Sequence, residues 1–352
     1  MDCKVEIINI ISRQAARERI TGPKKVLLNA CKGFDKLGIK YVFNEPISKH
    51  RFNWIHDDQV ALIEAGFIGN PVVAGPNIAV LPKDLPKFRK KLHPNSIYLH
   101  PSDWAVDVWR FLGFSECKLS AWPVGVDVDE FDFTDRVRAN KILIYLKERD
   151  EELLIKSKEI LTRLGYKITV IHYGRYKQED YRKALSECDF GIWIGRQESQ
   201  GIALQEALST GLPLIIVDAL SLFDTVYDNK QGYVGYDFPK KLSSVKTSSA
   251  PYFDDRCGIK IDSIEDLEKA INELEARYSE FNPRDFVKSE LSLDGRANQL
   301  IGYLKVTGSE FEPKKNDFKK LSKFLFLIGL VFQKWAWKWA FDKLKTMIMR
   351  AR

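Results

Sequence analysis

Cysteine is scarce in the sequence, and its few copies are widely scattered. The five cysteines among the 352 residues are Cys3, Cys31, Cys117, Cys188 and Cys257. An odd number without paired spacing gives no sign of a disulfide framework or a metal site, and it predicts reduced thiols in a cytoplasmic compartment. The first residues include an acid and form no long apolar segment, so we do not expect a cleaved signal peptide.

Several common catalytic patterns are missing as well. The chain has no Walker phosphate loop, no serine, histidine and aspartate in the order of a hydrolase triad, and no zinc-type spacing of cysteine and histidine. No internal repeat or low-complexity tract is found. What remains is a chain with 45% hydrophobic and 29% charged residues, which is the balance of a globular protein long enough for two domains.

The excess positive charge is concentrated at one end of the chain. Residues 313–352 contain nine Lys and two Arg against two Asp, a net charge of +9, whereas the whole chain carries +7. The first 312 residues therefore carry about −2. This distribution argues against a nucleic-acid groove across the body of the protein, so we expect no nucleic-acid partner.

Strand-like and helix-like segments alternate along the body of the chain. Apolar stretches such as 5–11 and 167–172 are followed by helical segments such as 24–37 and 178–186. Strands that alternate with helices predict parallel sheets covered by helices on both faces. The sequence therefore predicts an α/β fold made of doubly wound, Rossmann-like units.

The alternation stops once and starts again, which divides the body into two domains. We expect a first domain over 1–133 and a second over 134–305, followed by a basic, aromatic tail over 306–352. One long helix is predicted over 283–304, and it could pack back on the first domain. The stretch 240–251 is rich in Ser and Lys and is predicted to be a mobile loop.

The strongest local pattern follows the predicted strand 190–194. Glu198 and Glu206 are eight positions apart, on either side of the predicted start of a helix. The residues that open this helix are Ser199, Gln200, Gly201 and Ile202. Their backbone N–H groups would be free at a helix N-terminus, and such groups bind phosphate. Glu206 could accept hydrogen bonds from ribose hydroxyls, and Glu198 from the sugar being transferred.

An ordinary capped helix with two acids on its solvent face would explain that spacing alone. The strand before the helix and the stop signal Gly211-Leu212-Pro213 after it favour a ligand site instead. With these features the sequence resembles glycosyltransferase family 4, whose hallmark is an E-x7-E element before a helix ending in G-x-P. The resemblance covers most of residues 1–305, and it implies the GT-B fold, in which two Rossmann-like domains face a central cleft.

Two further segments resemble the same family in the same order. Residues 122–127 resemble its interdomain turn, with Val124 where Asn is usual, and residues 141–146 resemble the strand that opens its nucleotide-binding domain. After that strand the family carries a glycine-arginine pair and a lysine, which hold the diphosphate. The glycine is missing here. The available cations are Lys147, Arg149 and Lys156. Which of them binds the diphosphate stays open, as does the possibility that Lys147 or Arg149 faces solvent.

Two loops complete the implied donor site. Tyr173 and Gly174 follow the predicted strand 167–172 and resemble the loop of the family that contacts the base. Gly22 lies between the first strand and the first helix, where the family has a glycine-rich loop. A glycine there lets a phosphate or sugar approach backbone N–H groups closely, although a simple turn would explain it equally well.

The candidates on the acceptor side are three short polar segments, 56–58, 75–77 and 100–102. His100 is the candidate catalytic residue among them, because it ends a predicted strand, where the ligands of open α/β sheets gather. The structural alternatives are a histidine in the core at position 100, and helix-start residues at His56 and Asp57.

The pair Asp127 and Asp129 forms an Asp-x-Asp sequence, by which another glycosyltransferase fold holds a divalent metal. Here Asp127 belongs to the segment that resembles the interdomain turn. We therefore interpret it as structural and expect neither a metal nor another cofactor.

The tail combines apolar, aromatic and basic residues. Residues 324–332 are almost purely hydrocarbon, but nine residues of helix cover about 14 Å, roughly half of the hydrocarbon thickness of a bilayer. Trp335, Trp337 and Trp339 suit the headgroup level, and the nearby lysines attract anionic lipid. We expect residues 319–352 to lie in, or dip into, the cytoplasmic leaflet. The alternatives are a helix packed on the body or on a second subunit, and a single-pass anchor.

Together these features predict a glycosyltransferase at the cytoplasmic face of a membrane, and the resemblance implies that transfer retains the anomeric configuration. The resemblance implies sugar transfer from a UDP- or GDP-linked donor, bound mainly to the second domain, to an acceptor against the first. The predicted membrane contact suggests a lipid-linked or surface-glycan acceptor, as in polysaccharide biosynthesis. The alternative is a non-catalytic scaffold or partner subunit of the same fold, recruited to the membrane. Val124 and the missing glycine before Arg149 keep that alternative open.

Overall fold

The computed structural model of the chain describes residues 7–48, 51–82, 84–224 and 240–309. The segment predicted to contact a membrane, 319–352, lies outside the described residues. Among the residues that the structure does describe, no helix combines the length and the apolar character needed to cross a bilayer.

The first domain contains a six-stranded sheet whose strands all pair in parallel. Its strands are β1 (Ile7–Ile11), β2 (Lys40–Phe43), β3 (Phe52–Ile55), β4 (Val73–Ala74), β5 (Ile97–His100) and β6 (Lys118–Ala121). Their order in the sheet is β2-β1-β3-β4-β5-β6. The helices that cover it are α1 (Gly22–Lys36), α2 (Gln59–Ile68), α3 (Asp103–Phe111) and a short 3₁₀ helix (Lys87–Lys91).

The second domain contains a five-stranded sheet, which is also fully parallel. Its strands are β7 (Lys141–Lys147), β8 (Lys167–His172), β9 (Phe190–Gly195), β10 (Leu214–Val217) and β11 (Gly258–Ile261), in the order β11-β10-β9-β7-β8. Its helices are α4 (Glu151–Arg163), α5 (Gln178–Glu187), α6 (Ile202–Ser209), α7 (Leu267–Ala276) and α8 (Pro283–Glu290). Short 3₁₀ helices lie at Lys240–Ser244, Ile264–Asp266 and Tyr278–Glu280, and helix α9 (Leu293–Ser309) ends the described chain.

The sequence of β7 explains why this sheet is covered on both sides. Leu143 and Tyr145 pack into one buried cluster, which also contains residues of α6 and α8. Ile142 and Ile144 pack into a second cluster on the opposite face, with residues of α4 and α7. A strand that is apolar on both faces needs helices on both faces to exclude water. The predicted doubly wound α/β architecture is thus confirmed for both sheets.

The prediction of a single helix over 283–304 is wrong. Two helices, α8 and α9, are separated at Leu291 and Ser292, where the backbone pairs with the segment between the domains: the N–H of Val126 donates to the carbonyl of Leu291 at 2.8 Å. After this break α9 packs along α1, where a Cβ on Gly33 would lie 2.5 Å from the carbonyl oxygen of Leu293. The end of the described chain therefore returns to the first domain.

The prediction that residues 240–251 form a mobile loop is also wrong. The side chains of Leu242 and Ala250 are buried, and the Thr247 hydroxyl donates to the carbonyl of Ala219 at 2.7 Å. The hydroxyl of Ser248 donates to the Asp218 carboxylate at 3.0 Å. The small polar residues of this segment satisfy polar groups after the end of β10, which fixes the segment instead of leaving it in solvent.

Candidate active site

The loop between β9 and α6 lies at the interface between the two domains. It follows the carboxyl end of β9, and Ile202 at the start of α6 packs against the core of the first domain. Gly201 is the residue before the helix and has φ +84°, a left-handed conformation that favours glycine. The carboxyl ends of parallel strands and the helices that follow them are where such sheets bind ligands.

The first amides of α6 are free to bind a ligand. No side chain of a described residue caps this helix. Within the described parts of the chain, the backbone N–H groups of Gln200, Gly201 and Ile202 have no hydrogen-bond acceptor. Ser199, Gly201 and Ile202 are each only half-buried. Unpaired N–H groups together with the helix dipole form a site for an anion such as a diphosphate.

Glu198 and Lys147 form an ion pair beside these amides. The Lys147 Nζ lies 2.5 Å from Oε1 of Glu198, and the two side chains are 10% and 11% exposed. The same ammonium lies 4.2 Å from the ring centroid of Tyr173, which is 48% exposed at the end of β8. Three of the residues proposed from the sequence are therefore in contact. Gly174, the next residue, turns the chain with φ +75°.

The backbone of Glu198 is held from both domains. Its N–H donates to the carbonyl of Ser248 at 2.9 Å, and its carbonyl accepts from the indole Nε1 of Trp104 in α3 at 2.9 Å. Trp104 and Ser248 are not identified by the sequence pattern, because both contacts are made between segments far apart in the chain. They fix the backbone of Glu198 without using its carboxylate.

Glu206 is buried and pairs with Lys25 of the first domain. The Lys25 Nζ lies 2.5 Å from Oε1 of Glu206, whose side chain is 5% exposed. Burial raises the pKa of the Glu206 carboxyl above its ordinary value, and the ammonium of Lys25 opposes that shift. Lys25 stands 181 positions from Glu206 in the sequence, and no pattern there marks it.

The Gln200 side chain joins the second domain to the interdomain turn. Its amide accepts from the backbone N–H of Val124 at 3.1 Å and donates to the carbonyl of the same residue at 2.8 Å. It also donates to the side chain of Gln205 at 3.0 Å. The contact uses only backbone atoms of Val124, so the turn is held although Val replaces the usual Asn.

The three candidate cations lie in different places. The Arg149 guanidinium donates to the carbonyls of Gly195, at 2.9 Å, and Val217, at 3.3 Å, and burial lowers its pKa. It thus caps backbone carbonyls at the ends of β9 and β10. Lys156 lies apart from the site on the exposed side of α4, where it pairs with Glu152 and Glu265. Only Lys147 of the three contacts Glu198 in the described residues.

Gly22 occupies the first position of α1. The Thr21 hydroxyl before it accepts from the backbone N–H of Lys24 at 3.3 Å and caps the helix. No atom lies within 4 Å of the position that a Cβ on Gly22 would occupy. The loop therefore leaves open space beside Gly22, although nothing in it marks a particular ligand.

The acceptor-side candidates at positions 56–58 and 75–77 are linked by hydrogen bonds. The His56 ring pairs with the hydroxyl of Ser12 at 3.0 Å and with the side chain of Asn77 at 2.8 Å. Burial alone would raise the pKa of Asp57, but hydrogen bonds with His56 and Gln14 hold it well below its usual range. A hydrogen-bonded polar cluster with an ionised Asp57 thus lies at the carboxyl ends of β1 and β3.

His100 is enclosed in the core of the first domain. Its side chain is 0% exposed, and its ring centroid lies 5.1 Å from that of Tyr98 and 4.8 Å from that of Trp109. Neither ring nitrogen has a hydrogen-bond partner among the described residues. Burial lowers the pKa of the imidazole to about 3, so it is neutral near pH 7. Both ring neighbours belong to the first domain, and the catalytic role of His100 stays a prediction.

A His100→Phe variant is expected to change the pH dependence of stability. The pKa of His100 is about 3 in the folded protein and about 6.5 when unfolded, so the unfolded chain binds the extra proton and His100 destabilises the fold as pH falls below 6.5. Its contribution reaches up to about 1.4 kcal/mol per pH unit. Urea denaturation from pH 7 to pH 5 should therefore give a shallower loss of stability for the variant. Parallel curves for both proteins would contradict this.

Asp127 has structural partners. Its carboxylate pairs with Nζ of Lys32 at 2.7 Å and accepts from the backbone N–H groups of Asp129 and Glu130 at 3.1 and 3.2 Å. Over the described ranges, no group of three or more His, Cys, Asp or Glu residues is placed to hold a metal ion.

A protein-family model matches part of the sequence, and solved structures match the fold. Residues 150–243, which contain the Glu198 loop and α6, match the family model described as Glycosyl transferases group 1. Together with the two parallel sheets, this match defines the class of the protein, which is a glycosyltransferase of the GT-B type. Within residues 150–243 the chain is thus similar to group 1 glycosyltransferases, and the resemblance found in the sequence is confirmed at this coarse level.

Two solved structures share the fold at low identity. Sucrose-phosphate synthase from Thermosynechococcus elongatus has a TM-score of 0.52 and 11% identity, over 84% of this chain and 98% of that one. Anabaena Alr3699/HepE, in complex with UDP, has a TM-score of 0.51 and 12% identity, over 85% of this chain and 99% of that one. No curated protein matches the sequence. At these identities the structures show the fold alone.

Proposed function

We propose that the protein is a retaining glycosyltransferase that moves a sugar from a nucleoside diphosphate sugar to a lipid-linked or surface-glycan acceptor. One observation carries the proposal: the unpaired amides at the start of α6 lie between Glu198 and Glu206 at the interface of the two domains. Anion-binding amides flanked by two buried acids fit a ligand that has a diphosphate between two hydroxyl-rich sugars.

The sugar nucleotide would bind mainly to the second domain. Its diphosphate would accept hydrogen bonds from the amides of residues 200–202, with the charge of Lys147 beside it. Glu206 would accept hydrogen bonds from the ribose, and Tyr173 with Gly174 would contact the base. Arg149 would hold the ends of β9 and β10 in place, and Lys156 would take no part in binding the sugar nucleotide.

The chemical step would break the bond between the sugar and the diphosphate and form one to an acceptor hydroxyl, whose proton is released. Positive charge develops on the sugar and negative charge on the leaving diphosphate. The α6 amides and Lys147 would stabilise the leaving group, and Glu198 would stabilise the sugar. These residues perform that task without a metal. Retention of the anomeric configuration is proposed from the resemblance to E-x7-E glycosyltransferases.

The test is binding and transfer with a panel of sugar nucleotides. UDP-sugars come first, because one structure of the same fold was solved with UDP, and GDP-sugars follow. We expect one donor to raise the melting temperature and to be hydrolysed or transferred, and NMR of the product should show a retained anomeric configuration. Failure of every donor to bind would support a non-catalytic scaffold, and an inverted product would contradict retention.

Membrane contact through residues 319–352 is proposed from their sequence alone. Residues 313–352 carry a net charge of +9, and attraction to anionic lipid is worth about 1 kcal/mol for each nearby Lys or Arg. The full chain should float with vesicles rich in anionic lipid, and more weakly at high salt. A chain ending at residue 312 keeps every described element and should stay at the bottom of the gradient. Equal flotation of both chains would contradict a role of the tail.

A further inference from the structure

Lys25 of α1 and Glu206 of α6 form an ion pair that joins the two domains. The side chain of Glu206 is almost fully buried, and that of Lys25 is 27% exposed. The Lys25 ammonium also lies 5.8 Å from the ring centroid of Phe131. Because water has little access to this carboxylate, its charge depends on the ammonium that touches it.

The two oxygens of the Glu206 carboxylate have different surroundings. Oε1 accepts from Lys25. Oε2 is buried, and no group in the described part of the chain donates a hydrogen bond to it. A buried carboxylate oxygen without a donor is costly, so the site is suited to a ligand that brings an O–H group. The neighbouring hydroxyls of a ribose are such groups.

Lys25 is the cation in contact with this carboxylate. Within the described chain, Glu130, Arg182, Tyr176 and Tyr181 also interact electrostatically with Glu206. Glu130 disfavours the charged form of Glu206 and Arg182 favours it, but neither makes a hydrogen bond to it in the described structure. Removal of Lys25 would therefore leave a buried carboxylate without a direct partner, and such a group takes up a proton.

The geometry points to Lys25 as a positioning residue for the nucleotide: it keeps Glu206 ionised and leaves Oε2 free to accept from the ribose hydroxyls. The inference rests on the proposed function, because it assumes that a sugar nucleotide binds at the start of α6. Since Lys25 belongs to the first domain, the acceptor-side domain takes part in selecting a ribonucleotide donor. Ribose recognition then requires contact between the domains.

The test measures how strongly each variant prefers ribose. Calorimetry compares the nucleoside diphosphate that the wild type binds, UDP or GDP, with its 2′,3′-dideoxy analogue. The wild type should bind the ribonucleotide at least about tenfold more tightly. In Lys25→Met this preference should weaken at neutral pH and recover as pH rises, because the buried carboxyl of Glu206 without its cation ionises at higher pH than in the wild type. Lys25→Arg should retain the preference.

Lys36→Met is the matched control. Lys36 lies on the same helix and pairs with Asp129 at 3.1 Å, so its loss should leave the ribose preference unchanged. Where Lys25→Met does not fold, Lys25→Gln replaces it, since an amide can donate to Oε1 without a charge, and its pH profile gives the same test. A wild-type preference in Lys25→Met or Lys25→Gln overturns the inference. A wild type that binds neither UDP nor GDP contradicts the proposed function itself, and the inference with it.

Discussion

A Glu198→Gln variant is expected to lose about a hundredfold to a thousandfold in kcat. The change removes one negative charge from the pair with Lys147 and keeps the size of the side chain. A preorganised charge that stabilises a transition state in a water-poor site contributes about 3 to 4 kcal/mol, which corresponds to that loss in rate. The contacts of Glu198 with Trp104 and Ser248 use its backbone, so they should persist.

Glu187→Gln gives a matched control for the loss of an acid. Glu187 pairs with Lys141 at the opposite end of β7, where both side chains are more exposed. This substitution removes the same kind of charge from a pair with a lysine of the same strand, but that lysine lies six residues from Lys147 along β7. The value of kcat should therefore stay within about twofold of wild type, because exposed ion pairs contribute little. Equal rates for the Glu198 and Glu187 variants, with both proteins folded, would contradict a catalytic role of Glu198.

A Gly125→Ala variant is expected to lower the free energy of unfolding by about 3 kcal/mol, at the upper end of the cost of overpacking. A Cβ on Gly125 would lie 2.5 Å from Cα of Leu293 and 2.7 Å from the carbonyl oxygen of Ser292. Backbone atoms cannot move aside as a flexible side chain does. The interdomain turn and the chain returning through α9 would therefore have to separate, and Val124 would shift from Gln200.

Gly302→Ala is the control for Gly125→Ala. Gly302 lies in α9, where no atom is within 4 Å of the position of an added Cβ. Alanine has the higher helix propensity, so the control should be as stable as wild type or more stable by up to about 1 kcal/mol. Chemical denaturation of the three proteins tests both expectations. A Gly125→Ala protein with wild-type stability would show that the turn does not approach α9 so closely.

The sequence is most informative where a pattern and a strand end coincide. Glu198 and Lys147 are predicted from separate segments, and the structure brings them together because β7 and β9 are neighbours that end at the same edge of the sheet. Strand β8 is predicted with its exact bounds, residues 167–172. Its periodicity and composition leave little choice of conformation.

Other features depend on contacts between distant parts of the chain. The break between α8 and α9 is not visible in helix propensity, because Leu291 and Ser292 are set by pairing with Val126. The order of residues 240–251 likewise depends on the polar groups of Asp218 and Ala219. The pair between Lys25 and Glu206 exists only once the two domains meet. Local sequence carries no record of such partners.

The structure of the protein in complex with UDP, or with GDP where only GDP binds, tests the central claim most directly. We expect diphosphate oxygens at hydrogen-bond distance, about 3 Å, from the backbone nitrogens of Gln200, Gly201 or Ile202. We also expect the ribose at Oε2 of Glu206. A nucleotide bound elsewhere on the chain, with these amides left empty, would contradict it.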